Sequence, residues 1–409
     1  MDAAIAPGVA DLAAVEAWYA HITHLARDIG SRGSATPAEA QASEYIRAEF
    51  AQAGLRPEGE PFRSGVSAWS HFSLAMALVL AALALYPLAG RASAVLALAI
   101  VALALVSTLR EVHLLWSPLR LVLPRRESRN VWAAVRPRGA ATRCVAVIGH
   151  VDSHRTPLLF RSMAWQRVRQ VLVPAGFAAM AALFVLFAAG AVVQAQALFL
   201  VALAAGAVAA LALLLTLQAD VTPYTAGAND NATGAGLLPT LAGTLQAQPL
   251  SQTEVWLVAT GCEEVGCSGA IAFFRRHRRE LQDATVLVVD TVGGPASGPC
   301  YLRSEGMVLQ HRYDADLLAL ADAIAAARPE LGAYSRRMTE AYTEGLPAMQ
   351  AGFRALTLCG FTPRGELPHW HQPSDTVEHI DRDVLARNYA FIRELLLRLD
   401  AGQDATKGG

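Results

Sequence analysis

The chain has 409 residues, of which 54% are hydrophobic and only 17% are charged, and its formal net charge is −1. Soluble proteins usually carry about 25% charged residues, so this composition excludes a plain soluble enzyme and indicates that part of the chain lies in lipid. A net charge so close to zero gives no reason to expect a nucleic-acid partner. The five cysteines are odd in number and follow no zinc-finger spacing, so we interpret them as small buried residues.

Two long uncharged stretches organise the chain after a predicted amphipathic helix at residues 38–53. The first stretch, 72–109, is interrupted only by Arg91, and the second, 170–219, carries no charge at all. A helix needs about 20 apolar residues to cross the hydrocarbon core of a bilayer. We therefore predict four transmembrane helices in two hairpins, at 71–110 and 170–219. The alternative is four core helices of a large soluble protein, but such helices usually show a polar stripe, and these show none.

The segments outside the hairpins are predicted to form one domain, because each hairpin returns the chain to the side it left. These segments are 1–70, 111–169 and 220–400, while 401–409 is predicted to be a disordered tail. Short apolar runs predict buried strands at Cys144–Gly149, Glu254–Ala259, Ala284–Val289 and Ala355–Cys359. Asp381 can cap a last helix that ends near Leu399. Strands that alternate with helices predict an α/β domain with a mostly parallel central sheet flanked by helices.

Side chains that can bind metal ions follow the predicted strands, at or beyond the carboxyl end of each. They are His150 and Asp152, Glu263 and Glu264, Asp290, and His371. Ligands of open α/β sheets bind outside the carboxyl ends of the strands, so we expect these side chains to meet at one edge. Imidazole and carboxylate ligands without thiolates are typical of catalytic rather than structural zinc sites.

The spacing of these residues also predicts their roles. Two ions about 3.5–4 Å apart need a shared carboxylate, and we choose Asp230 in GANDNATG as that bridge. Asp152 lies two residues after His150, on one face of an extended segment, where it can orient the imidazole or polarise a metal-bound water. Of the adjacent pair Glu263 and Glu264, one can bind metal while the other stays free as a general base.

These motifs together resemble the two-zinc aminopeptidases of the bacterial leucyl aminopeptidase and glutamate carboxypeptidase type. The resemblance rests on GHVDS (149–153), GANDNATG (227–234), CEEVGCSGA (262–270), VVDTVG (288–293) and WHQPSDT (370–376), and on a leading helix within 31–55. The ordered set covers all the predicted soluble segments. We therefore expect a zinc exopeptidase fold with the transmembrane helices inserted in it.

The resemblance also implies the ligand sets and the activity. His150, Asp230 and Asp290 would hold one zinc ion, Asp230, Glu264 and His371 would hold the other, and Glu263 would be the base. The implied reaction is hydrolysis of terminal peptide bonds through a metal-activated water, as in an aminopeptidase. The expected partners are therefore a peptide substrate and the lipid bilayer.

Some residues and functions stay open at this point. His154, like several other histidines, has no positional argument and is not assigned. Glu344 lies where relatives have a different pocket element, so it can replace a pocket residue. One alternative function is a glutaminyl-cyclase-like acyltransferase with a single zinc ion, and another is a non-enzymatic membrane scaffold. The oligomeric state is not predicted.

Arginines near the predicted membrane ends indicate the orientation of the chain. Those on the side of the soluble segments are Arg56, Arg63, Arg110, Arg120, Arg125, Arg126, Arg155, Arg161, Arg167 and Arg169. The opposite turns offer only Arg91, and such a bias marks the cytoplasmic side. The N-terminal segment shows no secretory signal. We therefore predict a multi-pass protein of the inner (cytoplasmic) membrane with its peptidase domain on the cytoplasmic side.

Overall fold

The computed structural model describes residues 9–193 and 196–403, so residues 404–409 of the predicted tail lie outside the described part of the chain. The chain divides into two compact units. The first, here called the sheet unit, combines residues 1–64, 126–154 and 224–409. The second, the helical unit, combines residues 65–125 and 155–223.

The strands form one nine-stranded sheet with the order β1-β2-β4-β3-β5-β9-β6-β7, and β8 pairs with β6. Their bounds are β1 Glu58–Gly65, β2 Arg125–Val135, β3 Arg143–His150, β4 Thr253–Thr260, β5 Thr285–Asp290, β6 Cys300–Glu305, β7 His311–Arg312, β8 Tyr334–Arg337 and β9 Arg354–Cys359. The four predicted strands correspond to β3, β4, β5 and β9, and these four predictions are confirmed.

The sheet is mixed, so the prediction of a mostly parallel sheet was wrong. Its centre is parallel, because β3 pairs in parallel with β4 and β5, and β5 with β9. On the flanks, β2 runs against β4, and β6 runs against β9 and β7, whereas β8 pairs with β6 in parallel. The central strands are buried on both faces and read as continuous apolar runs, which made them visible in the sequence. The flanking strand β2 begins with exposed polar residues and alternates, which hid it.

Helices cover the sheet. The helices of the sheet unit are α1 Val9–Thr23, α2 Pro37–Gln52, α7 Thr233–Ala247, α8 Ser268–His277, α9 Ala315–Ala327, α10 Gly345–Gln350 and α11 Arg382–Asp400. The helix predicted at residues 38–53 is confirmed as α2, and the predicted last helix is confirmed as α11. Asp381 caps α11, because its side chain accepts hydrogen bonds from the backbone N–H groups of Asp383 and Val384. Helix α7 packs on β3, β4 and β5, and α1 packs on α7 and α11. The fully buried Trp18 and Phe391 belong to the core between these layers.

The helical unit contains α3 Ser70–Leu85, α4 Arg91–Val112, α5 Met163–Val193 and α6 Gln196–Asp220. Helix α3 packs on α4 and α6, and α5 packs on the same two helices. Within residues 9–193 and 196–403, three helices are long and apolar enough to cross a membrane: Arg91–Val112, Met163–Val193 and Ala197–Asp220. The predicted fourth, α3, has only 16 residues, so four spans are not confirmed. Pro87, two residues beyond its end, has no backbone N–H to add to the hydrogen-bond ladder of the helix.

Candidate metal centre

The carboxyl ends of the parallel strands bring the predicted ligands together. His150 and Asp290 are the last residues of β3 and β5, and Glu263 and Glu264 follow β4 after a short turn. Asp230 lies in the segment before α7, and His371 lies in the loop between β9 and α11. The start of α7 lies so close to β3 that small residues are needed where they meet. A Cβ on Gly149 of β3 would come within 2.6 Å of the backbone of Gly234 in α7.

Two groups of side chains share this edge. In the first, one ligand atom each from His150, Asp230 and Asp290 lies within 4.8 Å of the others. His150 Nε2 is 3.5 Å from Asp230 Oδ1 and 3.9 Å from Asp290 Oδ1. In the second group, His371 Nε2 is 3.2 Å from Asp230 Oδ2 and 3.3 Å from Glu264 Oε2. The two oxygens of Asp230 therefore face different groups, as a bridging carboxylate requires.

Asp152 links the adjacent residues Glu263 and Glu264 to His150. Its carboxylate accepts hydrogen bonds from the backbone N–H groups of Glu263 (3.0 Å) and Glu264 (3.2 Å) and from the hydroxyl of Ser34 (2.6 Å). His150 Nδ1 lies 3.1 Å from the backbone oxygen of Asp152 and 3.5 Å from its Oδ1. Asp152 is thus placed to orient the imidazole and to fix the turn after β4.

The two carboxylate oxygens of Glu263 have different contacts: one accepts a hydrogen bond and the other faces His150. The Sγ of Cys267 donates to Glu263 Oε1 at 3.2 Å. Glu263 Oε2 lies 4.0 Å from His150 Nε2, one of the ligand atoms of the first group. This arrangement leaves Oε2 as the oxygen available for proton transfer.

Two further residues hold the loops around the ligands and were missed by the sequence analysis. The fully buried Arg32 donates to the backbone oxygens of Val151 and Gly227, on either side of the site, and of three other residues. Asp375 accepts hydrogen bonds from the backbone N–H groups of Asn229 and Asp230. Both contacts join residues far apart in the chain, so no local pattern marks them.

Burial shapes the charge states of the site. It raises the pKa values of Glu263 and Glu264, and the neighbouring carboxylates raise them further. Burial also raises the pKa values of Asp230 and Asp290. Although burial alone would lower the pKa of His150, the neighbouring carboxylates of Asp152, Asp290 and Glu263 raise it well above its usual value. So many buried carboxyl groups can ionise together only when cations compensate them.

The unsatisfied atoms of the site fit divalent metal ions. Among the described residues, His150 Nε2, Glu264 Oε1 and Asp290 Oδ1 are buried and have no hydrogen-bond partner. Buried polar atoms are nearly always hydrogen-bonded, so orphans gathered at one point call for a ligand. Nitrogen and carboxylate donors in tight groups are the donors that zinc takes in catalytic sites.

The structure thus brings all seven predicted site residues to one edge and adds two that were not assigned. Glu344 is buried and accepts a hydrogen bond from the Thr260 hydroxyl, and burial raises its pKa to about 7. His154 joins Glu264 and His371 in a third candidate metal group. The even spacing of His150, Asp152 and His154 on one face of an extended segment was the signal that could have found it.

Comparisons of the sequence with known proteins find a peptidase family and an aminopeptidase. Residues 202–396 match the peptidase family M28. Aminopeptidase YwaD of Bacillus subtilis is 26% identical over 176 residues, which are 42% of this chain and 37% of that protein. The chain therefore spans little more than a third of the length of this relative.

Solved structures are similar over nearly the whole chain. The zinc aminopeptidase BSAP from Bacillus subtilis has a TM-score of 0.57 at 13% identity and covers 94% of this chain and 95% of its own. The glutaminyl cyclase from Bacteroides thetaiotaomicron has a TM-score of 0.54 at 12% identity, with 94% and 97% covered. At such identities the likeness shows the fold alone. The resemblance to the zinc aminopeptidases is confirmed, with a mixed sheet in an α/β fold.

Proposed function

We propose that this relative of the peptidase family M28 is a membrane-anchored exopeptidase, and specifically an aminopeptidase, that uses two zinc ions. The observation that carries the proposal is the position of Asp230 between two ligand groups, with Oδ1 toward His150 and Oδ2 toward His371. A single bound metal ion would not need a carboxylate whose two oxygens face two different groups of ligands. The domain would comprise the predicted segments 1–70, 111–169 and 220–400.

The residues divide between the two ions as follows. His150, Asp230 and Asp290 would hold one ion, and Asp230, Glu264 and His371 would hold the other. When bound, such ions lower the pKa of a water molecule to about 7 and polarise the carbonyl oxygen of the substrate.

The protein's own groups move the protons. Glu263 Oε2 accepts the proton that the attacking water loses and passes it to the leaving nitrogen, while Cys267 keeps Oε1 in place. The raised pKa of Glu263, caused by burial, makes it a stronger base than an exposed glutamate. Asp152 keeps His150 and the backbone of Glu263 in position throughout.

The test of this role is the Glu263→Gln variant, with the exposed Glu58→Gln as its control. We expect Glu263→Gln to bind zinc like the wild type and to lose about 10²–10⁴-fold in kcat on aminoacyl chromogenic substrates, because only proton transfer is removed. Glu58→Gln should be unchanged in both. A Glu263→Gln rate above about a tenth of the wild-type rate would show that another group is the base.

A second candidate is the single-zinc glutaminyl-cyclase-like acyltransferase, which the fold likeness favours. Zinc measured per chain separates the two. Two ions and cleavage of aminoacyl substrates support the exopeptidase. One ion, together with cyclisation of an N-terminal glutamine peptide, would replace it with the cyclase.

We also place four helices across the membrane, α3 included. Strands β1 and β2 are neighbours in one sheet, and α3 and α4 are the helices between them in the chain. If α4 crosses the bilayer, an even number of crossings is needed for both strands to stay on one side. Helix α3 is short for a span, but a bilayer can thin locally around it.

The arginine bias supports a multi-pass protein of the inner membrane with its peptidase domain in the cytoplasm. A reporter protein fused after Gly409 tests this orientation. A fusion active only in the cytoplasm supports it, and one active only outside the membrane overturns it.

A further inference from the structure

The exposed apolar surface of the helical unit continues beyond the ends of its long helices. The segment 113–124 follows α4 and contains no α-helix, only a 3-10 turn at Pro118–Leu121. Its large exposed side chains are Leu115 (44%), Trp116 (59%), Leu121 (72%) and Val122 (75%). The first turn of α5 exposes Met163 and Trp165 as well. Exposed apolar side chains gathered in this way mark a surface that something else covers.

This segment lies at the end of the helical unit where α3 and α5 begin and α4 and α6 finish. The contacts that join these termini are Ser67 with Asp220 (2.6 Å), His71 with Ser117 (2.7 Å), Trp69 with Phe160 (ring centroids 6.4 Å apart), and the Thr225 N–H with the His154 carbonyl oxygen (2.8 Å). Residues 110–124 and 161–168, here called the collar, therefore share one end of the unit.

The collar is basic as well as apolar. The helical unit contains eight arginines but only two acids, Glu111 and Asp220. Glu111 is engaged with Arg120 at 2.7 Å, and Asp220 accepts the serine hydroxyl contact given above. Arg161 and Arg167 are exposed, and the unit has no further acid that could neutralise them. The collar thus presents positive charge beside apolar and aromatic side chains.

We infer that the collar binds the headgroups of anionic phospholipids in the bilayer that the helices cross. The inference rests on the proposed membrane anchor and adds a lipid class to it. The indoles of Trp116 and Trp165 suit the boundary between acyl chains and headgroups. The guanidinium groups of Arg161 and Arg167 suit a lipid phosphate, to which each can donate two parallel hydrogen bonds.

A protein partner is the other class of occupant, and the collar favours lipid. Val168 and Val171 are exposed and continue the apolar surface of the collar along α5. The collar and the outer surface of this helix therefore need a continuous cover, and a bilayer supplies it to both. The cytoplasmic leaflet is also rich in anionic lipids, which attract basic segments next to transmembrane helices.

The experiment measures the lipid selectivity of the full-length protein in phosphatidylcholine vesicles. The vesicles contain a trace of spin-labelled phosphatidylglycerol or of spin-labelled phosphatidylcholine. Electron paramagnetic resonance separates labelled lipid at the protein from labelled lipid in the bulk bilayer, and the ratio of the two association constants is the selectivity. The test variant is Arg161→Gln/Arg167→Gln. The control, Arg136→Gln/Arg138→Gln, removes the same charge from exposed positions of the sheet unit.

We expect the wild type to bind phosphatidylglycerol several-fold more tightly than phosphatidylcholine, because each basic residue near an anionic surface strengthens binding roughly fivefold. The test variant should lose most of this preference, and the control should keep it. Salt at 1 M should reduce the preference of the wild type, because the Debye length is then only about 3 Å.

A second measurement follows the segment 113–124 itself. Phospholipid brominated near the top of its acyl chains should quench the tryptophan fluorescence of the wild type more than that of Trp116→Phe, because the indole at position 116 would lie at that depth. Equal quenching would place the segment outside the bilayer.

A wild type without preference for the anionic lipid, a test variant that keeps the preference, or equal quenching would overturn the inference and leave a protein partner as the cover of the collar. The proposed function fails in a different way. If the wild type leaves membranes without detergent, the membrane anchor is wrong and the inference falls with it. Zinc content and the rate on aminoacyl substrates test the peptidase independently of either result.

Discussion

The two units of the chain distribute ionisable and apolar side chains in opposite ways. The sheet unit buries a dense group of acids and histidines at the ends of its parallel strands. The helical unit turns large aliphatic side chains outward instead, with Val185 63% and Val192 78% exposed. Water could solvate neither arrangement well. The comparison teaches that the sheet unit needs bound cations, and that the helical unit needs an apolar solvent.

The packing inside each unit follows from its surroundings. Water drives apolar side chains such as Phe391 into the core of the sheet unit. In lipid this drive is absent, so helices must associate through close fit, often at small residues. Gly190 provides such a fit, since a Cβ there would meet the hydroxyl of Tyr86 at 1.8 Å. Tyr86 in turn stacks on Phe187, with ring centroids 4.7 Å apart.

The strongest way to sharpen this comparison is to remove the bridging carboxylate. Asp230→Asn should lower zinc binding at both sites. It should also reduce turnover by no less than the loss of a general base does, which is about 10²–10⁴-fold. The helical unit should be unaffected, so membrane extraction should match the wild type. Zinc analysis and a rate assay check this, with the exposed Asp283→Asn as control. Retention of both ions would contradict the bridging role.

Removing one buried phenylalanine from each unit tests the two driving forces. Phe391→Ala should lower the free energy of unfolding by about 3–5 kcal/mol, because a cavity and a lost transfer term add up. Phe187→Ala should lower the free energy of unfolding by less. In lipid-like surroundings the packed side chain does not leave water, so the mutation removes only packing contacts. Thermal unfolding in the same detergent compares the two. Equal losses would mean that both cores are sealed from water in the same way.

A charge on the outer surface tests the helical unit directly. Val185→Arg should hinder membrane insertion by about 2.5–3.5 kcal/mol, the usual penalty near the centre of a transmembrane helix. The matched change Leu12→Arg, at an exposed leucine of the sheet unit, should alter stability by no more than about 0.5 kcal/mol. The measurement is the fraction of protein that resists carbonate extraction of membranes. If both variants behave alike, the helical unit does not face lipid.

The smallest expected effect, taken per pH unit, is a pH slope confined to the sheet unit. Burial raises the pKa of Glu305 to about 8 from the ordinary value of 4.5. The folded state therefore holds a proton that the unfolded state releases, so this stability is complete below pH 4.5 and is lost as pH rises toward 8. The slope is at most about 1.4 kcal/mol per pH unit. Glu305→Gln should flatten it in unfolding measured between pH 5 and 8, and an unchanged slope would place the titration elsewhere.

The sequence was informative wherever one local pattern decided the outcome. The central strands β3, β4, β5 and β9 are continuous apolar runs because both of their faces are buried, and the ligands follow directly after such strands. The flanking strand β2 alternates irregularly, and it was therefore not predicted.

Other features depend on contacts that no local pattern contains. The guanidinium of Arg32 reaches backbone oxygens more than a hundred positions away in the chain, and Asp375 holds a loop that precedes it by well over a hundred residues. The length of α3 was overestimated because hydropathy extends past Leu85, although the helix itself ends there. Propensity and hydropathy are local quantities, and these outcomes are decided by tertiary structure.

The hydrogen bond between Thr225 and His154 has a consequence for the engineering of the chain. It ties together the two residues that bracket 155–223, so this long stretch leaves and re-enters the sheet unit at one point. A segment with adjacent ends can be lengthened or exchanged with little change in loop-closure entropy. We therefore expect a short linker in place of residues 155–223 to leave the strands of the sheet unit in their present order.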